Sequence, residues 1–114
     1  MLLGASNFDQ SIGSWDTGNV VTTISMFDGA TSFNQDISKW NTSSLQDAFG
    51  MFRSTSQFTQ DLSAWDFRNV NSTSRMFVNA MMFNGGLWED TPSLTNMEFM
   101  FENATSFRQV ISMW

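Results

Sequence analysis

A methionine-phenylalanine pair recurs at Met26, Met51, Met76 and Met100, and Met1-Leu2 opens a weaker copy at the same distance before Met26. The period of about 25 residues lies in the range of repeat arrays, whose units cannot bury an apolar face alone and must lean on their neighbours. This periodicity limits the chain to a single architecture written several times over. Its copies run 1–25, 26–50, 51–75, 76–99 and, incompletely, 100–114.

In register, Phe8, Phe33, Phe58, Phe83 and Phe107 form one column, followed four residues on by Ile12, Ile37, Leu62, Leu87 and Ile111. Both columns are expected to face inward. Trp15, Trp40, Trp65 and Trp114 come three residues later, whereas the fourth copy has lost a residue between Leu87 and Asp90, so that Trp88 sits early. With twelve Phe, nine Met, five Trp and no Tyr, the core is expected to be aromatic, with methionine filling gaps between copies. Trp88, displaced by the deletion, is the tryptophan expected to be exposed.

Local chemistry supplies the expected elements. Asn19, Ser44, Asn69 and Ser93 each precede an aliphatic residue, and Ser44 with Asp47 resembles a capping box, so a helix start is predicted there. Leu45, Ala48, Phe49 and Phe52 would share one helical face. Closure is predicted at Gly29, Ser54, Asn79 and Asn103, by residues in the left-handed conformation. Asn34 to Ser38 is too short for a helix and suits a brief strand. The expected fold is a repeat solenoid of about four to five right-handed units, with short parallel strands on one side and short helices on the other. Stacked columns would set Gln10, Gln35, Gln60 and Gln109 into an amide ladder, interrupted at Gly85.

The runs FNQDISKWNTSSL, FDQSIGSWDTGNV and FTQDLSAWDFRNV resemble the bacterial surface repeat of BspA-like or mycoplasma-type lipoproteins (DUF285), which belongs with the leucine-rich repeats. The resemblance covers essentially the whole chain. It implies a leucine-rich-repeat-like array and a role in cell-surface adhesion or protein binding, and it transfers no catalytic residues. The deletion near Trp88 and the sole proline, Pro92, depart from the pattern.

Several function classes are disfavoured by composition. The net charge is -6 with no Lys/Arg cluster, so a phosphate backbone would be repelled and nucleic acid is not an expected partner. Cys and His are absent, which removes thiol chemistry and the commonest transition-metal ligands; no cofactor or metal is expected. No apolar run is long enough to span a bilayer. With no phosphate-cradling glycine loop and no carboxylate pair outside the repeat register, an enzyme is not expected.

What remains is a non-catalytic binding or adhesion module, extracellular or at the cell surface, that meets a protein or a glycan through its strand face. Gln35, Asp36, Ser38, Gln60, Asp61 and Ser63, with Trp88, are the candidate contact residues. The alternative is a structural subunit or spacer docked in a larger assembly, in an organelle lumen or peripheral to a membrane. Either way, further repeats or a partner chain are expected to cover the ends. Asp36 and Asp61, with Asp9 nearby, could share a hard cation, but a solvated acidic face is the simpler expectation, since the neighbouring copies carry Ser11, Gly86 and Val110. Asp16, Asn41, Asp66 and Asp90 read as turn formers bonding their own backbone. Asn41, Asn71 and Asn103 open glycosylation acceptor patterns.

Overall fold

The computed structural model describes residues 2–111; Met1 and Trp114, placed above in the first copy and in the tryptophan column, lie outside them. Its organisation follows from where the backbone N–H groups go, because each buried donor needs a partner. Between Ala48 and Ser54, alternate residues donate to the next copy: Ala48 to Ser72, Gly50 to Ser74, Phe52 to Met76 and Ser54 to Val78, at 2.7 to 3.0 Å. The residues between them turn back within their own copy, Met51 donating to Ala48, Arg53 to Gly50 and Thr55 to Phe52. Segments 23–30 and 73–80 repeat the scheme.

Such a split produces neither a helix nor a sheet. The expected solenoid of strands and helices, and with it the leucine-rich-repeat-like arrangement, is therefore corrected. Among the described residues there is no helix, and regular pairing is limited to isolated parallel bridges from Thr22 to Asp47, Asp47 to Ser72 and Ser72 to Asn96. The chain is a compact body of stacked, turn-rich copies measuring 35 × 31 × 19 Å.

Ring spacing explains why the helices do not form. Phe27, Phe52, Phe77 and Phe101 stack with centroids 5.6, 5.5 and 5.6 Å apart, inside the range favourable for aromatic pairs. Side-by-side helices keep their axes about 8–10 Å apart, so a helix in each copy would pull this column open. Left-handed residues break the helical run instead. Gly50 has φ 60° in the middle of the expected helix, and its equivalents Ser25, Arg75 and Phe99 have φ 52°, 57° and 56°. The closing positions behave as predicted, with Gly29, Ser54, Asn79 and Asn103 all at positive φ.

The N-cap reading is corrected for the same reason. Ser44 Oγ donates to Gly18 O and Asn69 Nδ2 to Ser43 O, tying copy to copy, while Asp47 Oδ1 accepts from Phe49 N.

On the opposite side the rings stand slightly farther apart. Phe8, Phe33, Phe58, Phe83 and Phe107 stack at 5.8 to 6.0 Å, and Trp15, Trp40, Trp65 and Trp88 at 6.3 to 6.5 Å. The backbone of Asn34 to Ser38 closes no ladder there, because Asn34 N and Ser38 N donate to the Asp9 and Asp36 carboxylates. Side chains bridge the gap. Asp9 Oδ1 accepts from Asn34 N and from Gln35 Nε2, Asn34 Oδ1 from Thr59 N and Gln60 Nε2, and Asn84 Oδ1 from Arg108 N and Gln109 Nε2. The glutamines thus pair with the Asx residue of the preceding copy and not with one another, which replaces the expected amide ladder.

The interruption at Gly85 has a steric cause: a Cβ there would lie 2.0 Å from Gln60 O. Thr59, in the Asx position one copy earlier, offers no carboxamide oxygen, so acceptor and glutamine are lost together.

The core is the stacked interior. Phe27, Phe33, Phe52, Phe58, Phe77 and Phe83 are fully buried, as are Met51 and Met76, in agreement with methionine as core filler. Trp40 and Trp65 bury their rings and donate Nε1 to Ile12 O and Ile37 O at 3.0 and 2.9 Å. Trp15 belongs to the same column but is 42% exposed, since no earlier copy covers it among the described residues.

Two outcomes test this packing. Phe58→Ala removes the central ring of its column and should lower stability by about 3–5 kcal/mol in chemical denaturation; a loss below about 1 kcal/mol would contradict the stacking. Gly85→Ala should cost about 1–3 kcal/mol by forcing backbone apart. Gly86→Ala should cost clearly less, because its nearest obstacle, at 2.8 Å, is the exposed Asp61 carboxylate.

Candidate binding cleft

The deletion in the fourth copy reshapes the surface. In the second and third copies the chain turns outward at Ser38-Lys39 and Ser63-Ala64, closed by Trp40 N to Ile37 O and Trp65 N to Leu62 O, both 3.1 Å. In the fourth, Trp88 follows Leu87 directly and the outward turn is missing; the chain bends only at Glu89. Trp88 nevertheless keeps its rank in the column, stacking at 3.7 Å on Phe67 and 6.5 Å on Trp65. It is 2% exposed, which corrects its assignment as the exposed tryptophan. Aromatic stacking holds the ring in the core, and the missing residue is taken from the outer corner.

Two adjoining recesses mark the cut corner. One, of 350 Å³, lies against Ser63, Trp65, Asp66, Arg68, Glu89 and Asp90; the other, of 430 Å³, against Ser63, Gly86, Leu87, Trp88, Gln109 and Val110. Glu89 and Ser63 border both. A third, interior cavity beneath Thr17, Thr23, Trp40 and Met51 measures 20 Å³, room for about one water. One copy on, the position of Thr42 is occupied by Phe67, whose ring packs against Trp88.

The electrostatics are uneven around the cleft. Arg68 is held bidentately by Asp66, Nε to Oδ1 at 3.0 Å and Nη2 to Oδ2 at 2.7 Å. Its hydrogen bonds hold the Asp66 carboxyl below the usual value of 3.8, and Asp66 and then Asp90 push the guanidinium pKa upward. Arg68 borders the first recess, is held by Asp66 and also feels the Asp90 charge, while Glu89 and Asp90 are exposed at the edge.

The predicted contact residues divide into two groups. Gln35 and Gln60 are half-buried rungs between copies. Asp36 and Asp61 are exposed, each accepting from the backbone two residues on, at Ser38 N and Ser63 N, both 2.9 Å. Bonds from Ser38 hold the Asp36 carboxyl below 3.8. Ser63 and Trp88 meet in the cleft, and Asp61 backs onto it beside Gly86, whereas Gln35, Asp36 and Ser38 do not line it. Glu89 and Arg68 are not singled out by the sequence, and Asp90 reads there only as a turn former and Val110 only as a break in the acidic column, although the deletion is the signal that points to this corner.

The turn-former reading holds at Asp16, Asn41 and Asp66, whose Oδ1 atoms accept from Gly18, Ser43 and Arg68 N. Among the described residues no group of three metal-ligating side chains converges. The glycosylation candidates Asn41, Asn71 and Asn103 are all exposed, Asn41 accepting from Ser43 and Asn103 donating to Asn79. No helix among the described residues is long and apolar enough to cross a membrane.

The family model described as Mycoplasma protein of unknown function, DUF285, matches residues 1–89 and again 85–114. No curated protein and no solved structure matches the chain.

The lowered carboxyl values give a pH dependence. A carboxyl with a depressed folded pKa contributes stability that is present above its unfolded value and lost as pH falls through the folded one. Stability should therefore hold above about pH 4 and decline below it as Asp36 and Asp66 protonate; NMR titration of both carboxyls should give midpoints under 3.8.

Proposed function

The chain belongs to the DUF285 family, and from that premise we propose that it is a non-catalytic binding or adhesion module, extracellular or at the cell surface, that engages a protein or glycan. The observation that carries this reading is the cleft at the cut corner. The hydrogen-bonding side chains between copies are largely consumed in holding the stack, and the irregular copy opens a recess with Ser63, Glu89 and Asp90 exposed at its rim. A regular array offers the same shallow relief at each step; a missing corner makes one place unlike the rest. The contact surface is accordingly centred on Asp61, Ser63 and Glu89, with Asp36 and Ser38 on its regular flank.

A second reading, a structural subunit docked in a larger assembly, is favoured by the half-exposed Met97 and Phe99 beside the last bridge. Surface of this kind suits burial against another protein.

A mixed array of peptides and glycans tests the first reading. The unmodified protein should retain a defined set of ligands, and Ser63→Trp, which fills the recess, should lose them. Gln46→Trp, at an exposed position outside the recess, should keep them. Identical retention by both variants would refute a binding site at the cut corner.

A further inference from the structure

We infer that Asn84 is a site of covalent modification, where the Gly85 backbone nitrogen displaces the side-chain amide and water completes the conversion to an aspartate that the stack retains. Water is the co-reactant, and no other is needed.

The step balances within the chain. Gly85 N bonds to Asn84 Cγ and gives up its proton; Nδ2 takes that proton and leaves as ammonia, closing a five-membered imide. Water then opens the ring. Cleavage of the bond from nitrogen to Cγ gives aspartate, and cleavage of the bond to the backbone carbonyl gives isoaspartate, whose main chain runs through Cβ and Cγ. Amide plus water becomes carboxylic acid plus ammonia, and ionisation of the acid adds one negative charge to the net -6.

Three features place this chemistry at Asn84. Gly85 is the only glycine in the chain that follows an asparagine, so no Cβ crowds the approach of its nitrogen. Stacking forbids any other residue there, since a Cβ would lie 2.0 Å from Gln60 O. The reacting groups are also available: Asn84 is exposed to water, and among the described residues Gly85 N donates to no acceptor. Finally, Asn84 Oδ1 accepts from Arg108 N at 2.7 Å and from Gln109 Nε2 at 3.2 Å. These donors stabilise the negative charge that grows on Oδ1 as Gly85 N adds to Cγ, as the donors of an oxyanion hole do.

The fold already contains the product. Asp9 holds the same column position in the first copy, its Oδ1 accepting from Asn34 N and Gln35 Nε2, both at 2.9 Å. Aspartate at position 84 meets the same kinds of donor, and an ionised acceptor strengthens both bonds. Isoaspartate would insert a backbone carbon next to the tight contact of Gly85 with Gln60 O, so aspartate is the form the stack accommodates. Gln109 borders the second recess, and the new carboxylate therefore stands next to the cut corner.

Asn34 supplies an internal control. It occupies the same column and its Oδ1 accepts from Thr59 N and Gln60 Nε2, both at 2.9 Å, but Gln35 follows it in place of glycine. The folded chain, incubated in mildly alkaline buffer and mapped by peptide mass spectrometry, should convert Asn84 about tenfold or more faster than Asn34. Fragmentation that separates the two acids should find mainly aspartate. Equal conversion at Asn34 and Asn84, or an intact Asn84 after the exposed Asn71 has converted, would overturn the inference. Asn84→Asp presents the product directly and should melt no lower than the unmodified protein, with the Arg108 N–H still protected from hydrogen exchange. A fall of more than about 5 °C, or loss of that protection, would overturn retention of the aspartate in the stack.

Discussion

Aromatic stacking at a single spacing is the constraint on which the rest of this structure depends. Ring centroids along the Phe27 and Phe33 columns lie 5.5 to 6.0 Å apart, and copies held at that distance leave no room for a helix in every copy. The backbone answers by dividing its N–H groups between turns within a copy and bonds to the next. Where the backbone N–H groups are not paired copy to copy, Asx and glutamine side chains complete the connection. Phenylalanine suits this role because a flat ring can meet an identical ring on both faces, whereas aliphatic side chains interdigitate and set no single distance.

The same constraint explains what happens when the repeat is broken. Losing a residue in the fourth copy could in principle have shifted every later ring out of register. Trp88 instead remains stacked on Phe67 and Trp65, and the shortage is absorbed at the solvent-facing corner, where nothing is packed. Glu89 and Asp90 are left on the edge of a recess, beside the Asp66–Arg68 pair. An array of this kind gains an individual recess by omission: the core columns are shared by the copies, and a local deletion at the surface is tolerated because it costs little buried contact.

The period, the inward Phe, Met and Ile/Leu columns and the left-handed closing positions were legible in the sequence, because each depends on residues within one copy or on simple recurrence. The element types were misread at identifiable residues. Leu45, Ala48 and Phe52 do turn inward together, as a helical face would require, yet Gly50 lies in the left-handed region between them, since its N–H is drawn to Ser74. Ser44 and Asn69 have the chemistry of helix caps but spend it across copies. Local pattern cannot separate these outcomes, because the deciding partner is about 25 residues away.

The sequence by itself determined that this chain is a stack of similar copies with an aromatic interior, and that one copy is irregular. Tertiary structure decided what the copies are made of and where the irregularity lands. Copy-to-copy distance is a property of rings touching rings, set only once neighbours are in contact. That distance rules out a helix in every copy, keeps Trp88 in the core against its early position, and places the vacancy of the lost residue beside Ser63, Glu89 and Asp90.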